Sequence, residues 1–217
     1  ATIAFCHEQG MALLPRGGGT SQCGQTVNHA LVLDNTKYLN SILELDVENR
    51  RCIVEPGIVL DELNRQLKPH GLWFPVDVST SSRATIGGMT ANNSCGGRSI
   101  RYGIMRDNVL AIDAILADGT RASFGAYDPA AAKPTGRLGE ILPDLLALGA
   151  THGDEILSSF PKVLRRVGGY NIDSLIPDAM ALRPDGKAGD GINLAHLLVG
   201  SEGTLAYSTA ITLKLSP

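Results

Sequence analysis

Three clusters of glycine and small polar residues are where this chain could do chemistry. The first is Pro15-Arg16-Gly17-Gly18-Gly19-Thr20-Ser21, entered through Leu13 and Leu14. Without Cβ atoms, Gly17, Gly18 and Gly19 can take positive φ and turn successive amide N–H groups to one side, and Thr20 and Ser21 can add hydroxyl donors. Such a concave row of donors suits a phosphate or diphosphate; the alternative is a tight turn that holds no ligand. Two familiar phosphate loops do not fit. A Walker A loop needs a Gly-Lys-Ser/Thr ending and no Lys lies in the stretch, while the dinucleotide fingerprint GxGxxG would need a glycine where Gln22 stands.

The second cluster runs from Ser79 to Gly97. Ser79 to Ser82 offer caps for a short helix beginning near Thr85, Gly87 and Gly88 permit close approach of a backbone or ligand, and Asn92, Asn93 and Ser94 supply donors and acceptors before Gly96 and Gly97 break the element. Read alone it is also an ordinary Gly/Asn-rich loop; paired with a distant phosphate loop it suits a long dinucleotide held in several places. The third is Gly200-Ser201-Glu202-Gly203, a tight turn whose glutamate alone would signify nothing. Arg98, Arg101, Arg165 and Arg166 could each pair bidentately with a carboxylate. Arg166 is the strongest of these; the other three read as surface residues or phosphate contacts. His152 and His196 read as structural, and no catalytic base can be named from the sequence.

Composition narrows the classes. The chain has 217 residues, 43% of them hydrophobic and 19% charged, and its formal charge of -3 leaves no basic footprint for nucleic acid. No apolar run approaches the roughly 20 residues of a transmembrane helix, and no signal peptide opens the chain, so a cytoplasmic location is expected. Cys6, Cys23, Cys52 and Cys95 are far apart and form no CxxC pair, so reduced thiols are expected and no metal is assigned.

The elements that must position these clusters follow from periodicity. A helix is expected before Gly10, a strand at 30–34, two strands joined by a polar turn at Asn49, and a helix from about Val59 to His70 ended by Gly71. Val109 to Gly125 reads as strand, Asp-Gly turn and strand, and Gly136 to Ser159 is the longest helical segment. Residues 185–191 read as a Gly/Asp-rich surface loop. At the far end Leu205, Tyr207, Thr209, Ile211, Leu213 and Leu215 alternate as one face of a strand. Strands and helices mix without regular βαβ alternation, so the expected class is α+β. Both ends read as cut, which makes the chain a piece of a longer polypeptide.

In this order, PRGGGTS, PVDVSTSSRATIGGMTANNSCGGRSIRYG, VLAIDAILADGT, RRVGGYN and LLVGSEGTL resemble the FAD-linked oxidase family, whose FAD-binding domain is of the p-cresol methylhydroxylase and vanillyl-alcohol oxidase type. The resemblance spans essentially the whole chain. NNSCG and RRVGGYN are most similar to large bacterial enzymes that join this domain to an iron–sulfur domain and oxidise D-2-hydroxy acids such as D-lactate or D-2-hydroxyglutarate.

The resemblance implies two α+β subdomains with FAD between them, divided at about residues 1–78 and 79–217, and a substrate or cap domain beyond this chain. It implies that Arg16, Gly17, Gly18, Gly19, Thr20 and Ser21 cradle the FAD pyrophosphate. Pro75, Asp77, Thr85, Gly87, Gly88, Asn93 and Gly96 would run along the cofactor towards the flavin, with Tyr102 and Gly103 closing that wall. Glu202 and Gly203 would approach the adenine and ribose half. Many relatives have glycine at Cys95, and GTLGI where this chain has Leu205, Ala206 and Tyr207; Cys95 reads as a small packed residue. Thr20 stands where covalently flavinylated relatives carry histidine, so non-covalent FAD is implied. The implied activity is oxidation of a D-2-hydroxy acid to a 2-keto acid by hydride transfer to FAD, with this segment inactive alone and an iron–sulfur domain of the parent chain as a possible electron acceptor. A non-catalytic flavin-binding module, an NADPH-dependent flavin reductase of the same fold and a domain that has lost FAD stay open as alternatives.

Overall fold

A computed structural model describes residues 1–163, 165–177 and 191–217. The expected loop at 185–191 lies outside the described residues except for Gly191.

The chain opens with helix α1, Thr2–Glu8, which ends at Gln9, with Gly10 in the left-handed region at φ 61°. Two short strands follow, β1 (Leu13–Arg16) and β2 (Leu31–Asp34), paired in parallel with Leu13 opposite Leu31 and Arg16 opposite Asp34. Pro15 interrupts an otherwise apolar run, and β1 was not legible as a strand in the sequence. The loop 17–30 is the crossover between them, so the glycine loop leaves directly from the end of β1.

The larger sheet has the order β3-β4-β7-β5-β6 and is antiparallel throughout. β3 (Ile42–Asp46) and β4 (Arg51–Val54) form the hairpin expected around Asn49, whose N–H and side-chain amide both bond to the Asp46 carboxylate. β5 (Val109–Ile115) and β6 (Arg121–Phe124) form the Asp-Gly hairpin, and β7 (Tyr207–Lys214) runs between β4 and β5. The last strand of the sequence is thus the middle of the sheet. The expected division at residue 78 falls with β3 and β4 on one side and β5, β6 and β7 on the other, within one sheet.

One face of this sheet carries Cys52, Val54, Val109, Ile112, Ile211 and Leu213 into the core. Helix α2, Leu60–Leu67, buries Leu60, Leu63 and Leu67 against it and passes into a 3₁₀ turn, Lys68–His70, ended by Gly71 at φ 68°. Spacing of three and four residues puts those leucines on one stripe of the helix expected there. Short helix α3 (Ile86–Ala91) lies within the second glycine cluster, and α4 (Ser99–Tyr102) and α5 (Met105–Asn108) follow it. Only the first of them was legible; four-residue helices have too few turns to show a period. Helix α6, Gly136–Ser159, carries Pro143 inside it and packs on the 3₁₀ turn Ile172–Leu175, with Gly149 so close that a Cβ would run into the Leu175 carbonyl. Helix α7, Ala195–Leu198, leads into the Gly200–Gly203 turn and β7.

Candidate functional site

The glycine loop is built differently from its expectation. Only Gly19 has a positive φ, 65°. Gly17 and Gly18 are needed for space: a Cβ on Gly17 would run into the Thr85 hydroxyl, and one on Gly18 into the Arg83 carbonyl. The loop is pressed on residues 83–85, which joins the first and second sequence clusters. Arg16 turns its guanidinium back beside Gly19 and bonds Asp34 Oδ2 through Nη1 at 3.2 Å. Asp34 Oδ1 accepts the side-chain hydroxyl of Thr36 at 2.7 Å and its N–H at 2.8 Å, and these bonds, with the nearby Arg16 charge, hold its carboxyl below the usual range.

Arg16, Gly17, Gly18, Gly19, Thr20 and Ser21 line a cleft of about 250 Å³ together with Thr85, Gly88, Asn92, Ser94 and Glu202. Among the described residues, none of the five amides from Gly17 to Ser21 is donated to another protein group. Five consecutive donors without a protein acceptor, beside a cleft, have the geometry that an anion site requires. Ser21 Oγ accepts the Gln25 side-chain amide at 2.7 Å and the Cys23 N–H at 3.4 Å, which leaves its hydroxyl proton available as a further donor. Gln25 Oε1 is enclosed without a partner in the same wall.

Thr85, rather than Ser79 to Ser82, is the N-cap of α3, and its side chain accepts the Gly88 N–H at 3.3 Å. The Ile86 and Gly87 amides go to the carbonyls of Ile58 and Pro56 at 2.8 and 2.7 Å. Those amides of α3 are therefore already used, which leaves the loop amides as the unbonded donors beside the cleft. Gly87 is required because a Cβ there would meet Pro56. Gly88 borders both this cleft and an adjoining cavity of about 70 Å³, which Gly87, Glu202, Gly203, Asn35 and Tyr207 also line.

Two of the non-glycine residues in the left-handed region belong to this neighbourhood, Asn93 at φ 48° and Glu202 at φ 50°. Asn93 is wholly buried, and its Oδ1 accepts the Arg106 N–H at 3.1 Å. The Glu202 N–H donates to Ala91 O at 3.0 Å, which ties the Gly200–Gly203 turn to the end of α3. Such conformations persist only where surrounding bonds enforce them.

The structure thus gathers Arg16 to Ser21, Thr85, Gly87, Gly88, Glu202 and Gly203 around one continuous pair of cavities. Pro75, Asp77, Asn93, Gly96, Tyr102 and Gly103 stand outside the lining. Pro75 is buried; Asp77 Oδ1 accepts the Arg98 N–H at 3.0 Å; and Gly96 lies against the Asp77 carbonyl. Tyr102 meets Trp73 edge-on at 5.2 Å, and Gly103, at φ 80°, lies against Asp107. Sequence reasoning missed Gln25, Asn35, Met89 and Ala91 as lining residues, since none of these types in such surroundings signals a ligand.

Arg166 overturns its expectation. Its Nη2 lies 2.6 Å from Asp173 Oδ2 and its guanidinium covers Phe160 at 4.3 Å, so a buried carboxylate of the chain itself holds it. Asp173 also takes Arg106 Nη1 at 2.9 Å, and Asn171 Oδ1 accepts from the same nitrogen at 3.2 Å. Arg165 lies exposed and donates to the Gly96 carbonyl at 3.2 Å.

Residues 1–125 match the family described as FAD binding domain. The chain belongs to that family. This FAD binding domain is 37% identical over 213 residues to D-2-hydroxyglutarate dehydrogenase of Pseudomonas putida, covering 96% of the chain and 20% of the relative. It is 33% identical over 206 residues to the enzyme of that name from Escherichia coli, covering 93% of the chain and 19% of the relative. It is 32% identical over 219 residues to D-lactate dehydrogenase of Archaeoglobus fulgidus, covering 100% of the chain and 36% of the relative. The chain spans about a fifth of the D-2-hydroxyglutarate dehydrogenases it matches. A solved structure of alkyldihydroxyacetonephosphate synthase superposes with a TM-score of 0.63 at 20% identity, covering 99% of the chain and 29% of that protein, and so shares its fold. The α+β class and FAD as the family's cofactor, expected from the motifs, are both borne out. The row of undonated amides and the Ser21 hydroxyl fit the diphosphate of that cofactor.

Proposed function

We propose that this chain is the FAD-holding part of a flavin-dependent dehydrogenase that oxidises a D-2-hydroxy acid to a 2-keto acid. The observation that carries this reading is the row of amides from Gly17 to Ser21, which have no protein acceptor and border a cleft. The names of its relatives, D-2-hydroxyglutarate and D-lactate dehydrogenases, support the substrate class. In this reading Gly17 to Ser21 hold the diphosphate, Thr85, Gly87 and Gly88 set the floor of the cleft, and Glu202 and Gly203 close it on the ribose side. Bound flavin would accept the hydride from the substrate's α-carbon. This chain's residues fix the cofactor's position and exclude water from it.

Pro75, Asp77, Asn93, Gly96, Tyr102 and Gly103 are proposed as the wall that continues from the cleft, and residues 1–78 and 79–217 as its two contributors. Thr20 stands where covalently flavinylated relatives carry histidine, which supports non-covalent binding. The substrate-binding and proton-abstracting groups, and the electron acceptor, are assigned to other parts of the protein that carries this chain. No helix among the described residues is long and apolar enough to cross a membrane; a cytoplasmic site of action is part of the proposal.

The test is a visible spectrum of the purified protein that carries this chain, taken after desalting and again after denaturation. Retained flavin released by denaturation is expected, followed by anaerobic bleaching with D-2-hydroxyglutarate or D-lactate. Flavin that stays attached to the denatured chain would overturn the non-covalent reading. Bleaching by NADPH in place of both acids would favour a flavin reductase.

A further inference from the structure

The segment RRVGGYN, residues 165–171, is distinctive in the sequence, yet none of its residues lines either cavity. It meets the rest of the molecule at three buried side chains, Asn93, Asn171 and Asp173, each no more than 3% exposed.

Asn93 is held from two sides. Its Oδ1 accepts the Arg106 N–H at 3.1 Å, and its Nδ2 donates to the Arg166 carbonyl at 3.5 Å. The side chains of those same two arginines converge on Asp173: Arg106 Nη1 donates to Oδ2 at 2.9 Å, and Arg166 Nη2 lies 2.6 Å from it. One carboxylate thus sets the spacing of the two backbone groups between which the Asn93 carboxamide fits. Asn93 stands between Asn92 and Ser94, which both line the cleft, and it is left-handed at φ 48°. Without those bonds the right-handed and extended regions are the favoured ones, and a backbone that moved there would turn both neighbours with it.

Asn171 carries the same cluster to the Gly200–Gly203 turn. Its Oδ1 accepts Arg106 Nη1 at 3.2 Å, and its Nδ2 donates to the carbonyls of Val199 at 2.8 Å and His196 at 3.4 Å. Val199 leads into the turn, where Glu202 is left-handed and lines the cleft. The turn is pressed on both asparagines: a Cβ on Gly200 would lie 3.2 Å from Gly169 O, 3.3 Å from Asn93 Cβ and 3.6 Å from Asn171 Nδ2.

We infer that Asp173 and Asn171 are positioning residues of the cleft. Asp173 fixes Asn93, and with it Asn92 and Ser94, by gathering Arg106 and Arg166; Asn171 fixes the turn that carries Glu202. Neither lines the cleft. A buried polar network resists partial opening, because a group that loses its partner finds no water to replace it. The two left-handed residues are therefore held by bonds made behind the wall. This inference rests on the FAD reading above and gives RRVGGYN the task of shaping the cleft.

The experiment uses the protein that carries this chain, unmodified and as Asp173→Asn, Asn171→Ala, Arg166→Met and Arg166→Lys. FAD dissociation constants are measured well below each melting temperature, and amide hydrogen exchange across residues 199–203 is followed in the flavin-free protein. Asp173→Asn, Asn171→Ala and Arg166→Met should each weaken FAD about tenfold, the size of one lost buried hydrogen bond. Asn171→Ala should also speed exchange of the Gly200 and Glu202 amides about tenfold. Arg166→Lys should recover most of the Arg166→Met loss, since a single nitrogen makes the contact with Asp173. Leu138→Ala, which removes a buried side chain at the start of α6, should lower the melting temperature while FAD binding and exchange stay as in the parent. Weakening by Leu138→Ala equal to that of Asp173→Asn would reduce the network to general stability and overturn the inference. Unchanged FAD binding, unchanged exchange in Asn171→Ala, or no recovery in Arg166→Lys would overturn it as well. Failure of the unmodified protein to bind FAD would overturn the proposed function, and the exchange comparison would still decide whether Asn171 holds the turn.

Discussion

Arg166 Nη2 lies 2.6 Å from Asp173 Oδ2, inside the protein, with the carboxylate side chain 4% exposed and the arginine 13%. A second arginine, Arg106, bonds the same oxygen at 2.9 Å. One carboxylate therefore ties the segment after α6 to α5, and Arg106 in turn gives its backbone N–H to Asn93. Removing the carboxylate leaves two guanidinium groups facing each other with little water. Asp173→Ala should cost about 3 kcal/mol in denaturant unfolding. A loss below about 1 kcal/mol would mean that solvent replaces the carboxylate.

The glycines of the loop divide by what a side chain would meet. Gly18→Ala drives a Cβ at the Arg83 backbone carbonyl, which has no flexible end to move aside. It should destabilise by about 1–3 kcal/mol and weaken flavin binding. Gly168→Ala meets nothing within 4 Å and has no positive φ, so its melting temperature should match the parent's. Equal melting of both variants would contradict the close approach of loop and residues 83–85.

Thr85 caps α3 while its hydroxyl stands against Gly17. Thr85→Ala loses the cap and should cost about 1 kcal/mol. Thr85→Ser retains the hydroxyl and should recover most of that loss in the same thermal unfolding measurement.

The thiols should differ in reactivity. Cys23 is exposed, whereas Cys6 and Cys52 are buried, and burial pushes the Cys52 thiol up to about 12. A thiol reagent at neutral pH should modify Cys23 rapidly in the folded protein and reach Cys52 only on unfolding. Mass-resolved labelling that found Cys52 modified first would contradict the core assignment.

Tyr207 gives a pH signature. Burial, with the Glu55 charge as a second cause, pushes its hydroxyl up to about 12 from the ordinary 10.0. Because the folded value is raised, its stabilising contribution is complete below about pH 10 and is lost as pH rises towards 12. Ultraviolet phenolate titration should show a late-ionising component that is lost in Tyr207→Phe. An unchanged titration curve in that variant would place the late group elsewhere.

The longer elements were legible in the sequence because each repeats its period often enough to be seen. Helix α2, both strand–turn–strand hairpins and the alternating face of β7 are of this kind. β1 was hidden by Pro15, which interrupts its apolar run. The loop Gly17 to Ser21 was legible as either an anion cradle or a tight turn, and the reason for two of the glycines lay in Thr85 and Arg83, far away in sequence. Arg166 misled for a related reason: its partner Asp173 is an unremarked residue in a short 3₁₀ turn. The Tyr207 to Asn35 bond spans 172 positions, and no local pattern encodes such a meeting.

Trp73 is the one tryptophan of the chain. Its backbone exchanges two bonds of 2.9 Å with Ser216, its indole donates to Pro217 O at 3.0 Å, and its ring lies between Tyr102 and the Arg98 guanidinium. Within these 217 residues its emission is consequently a built-in optical gauge with a single source. Dimming as flavin enters would report loading of the cleft by energy transfer, while a red shift without dimming would report Ser216 and Pro217 separating from Trp73.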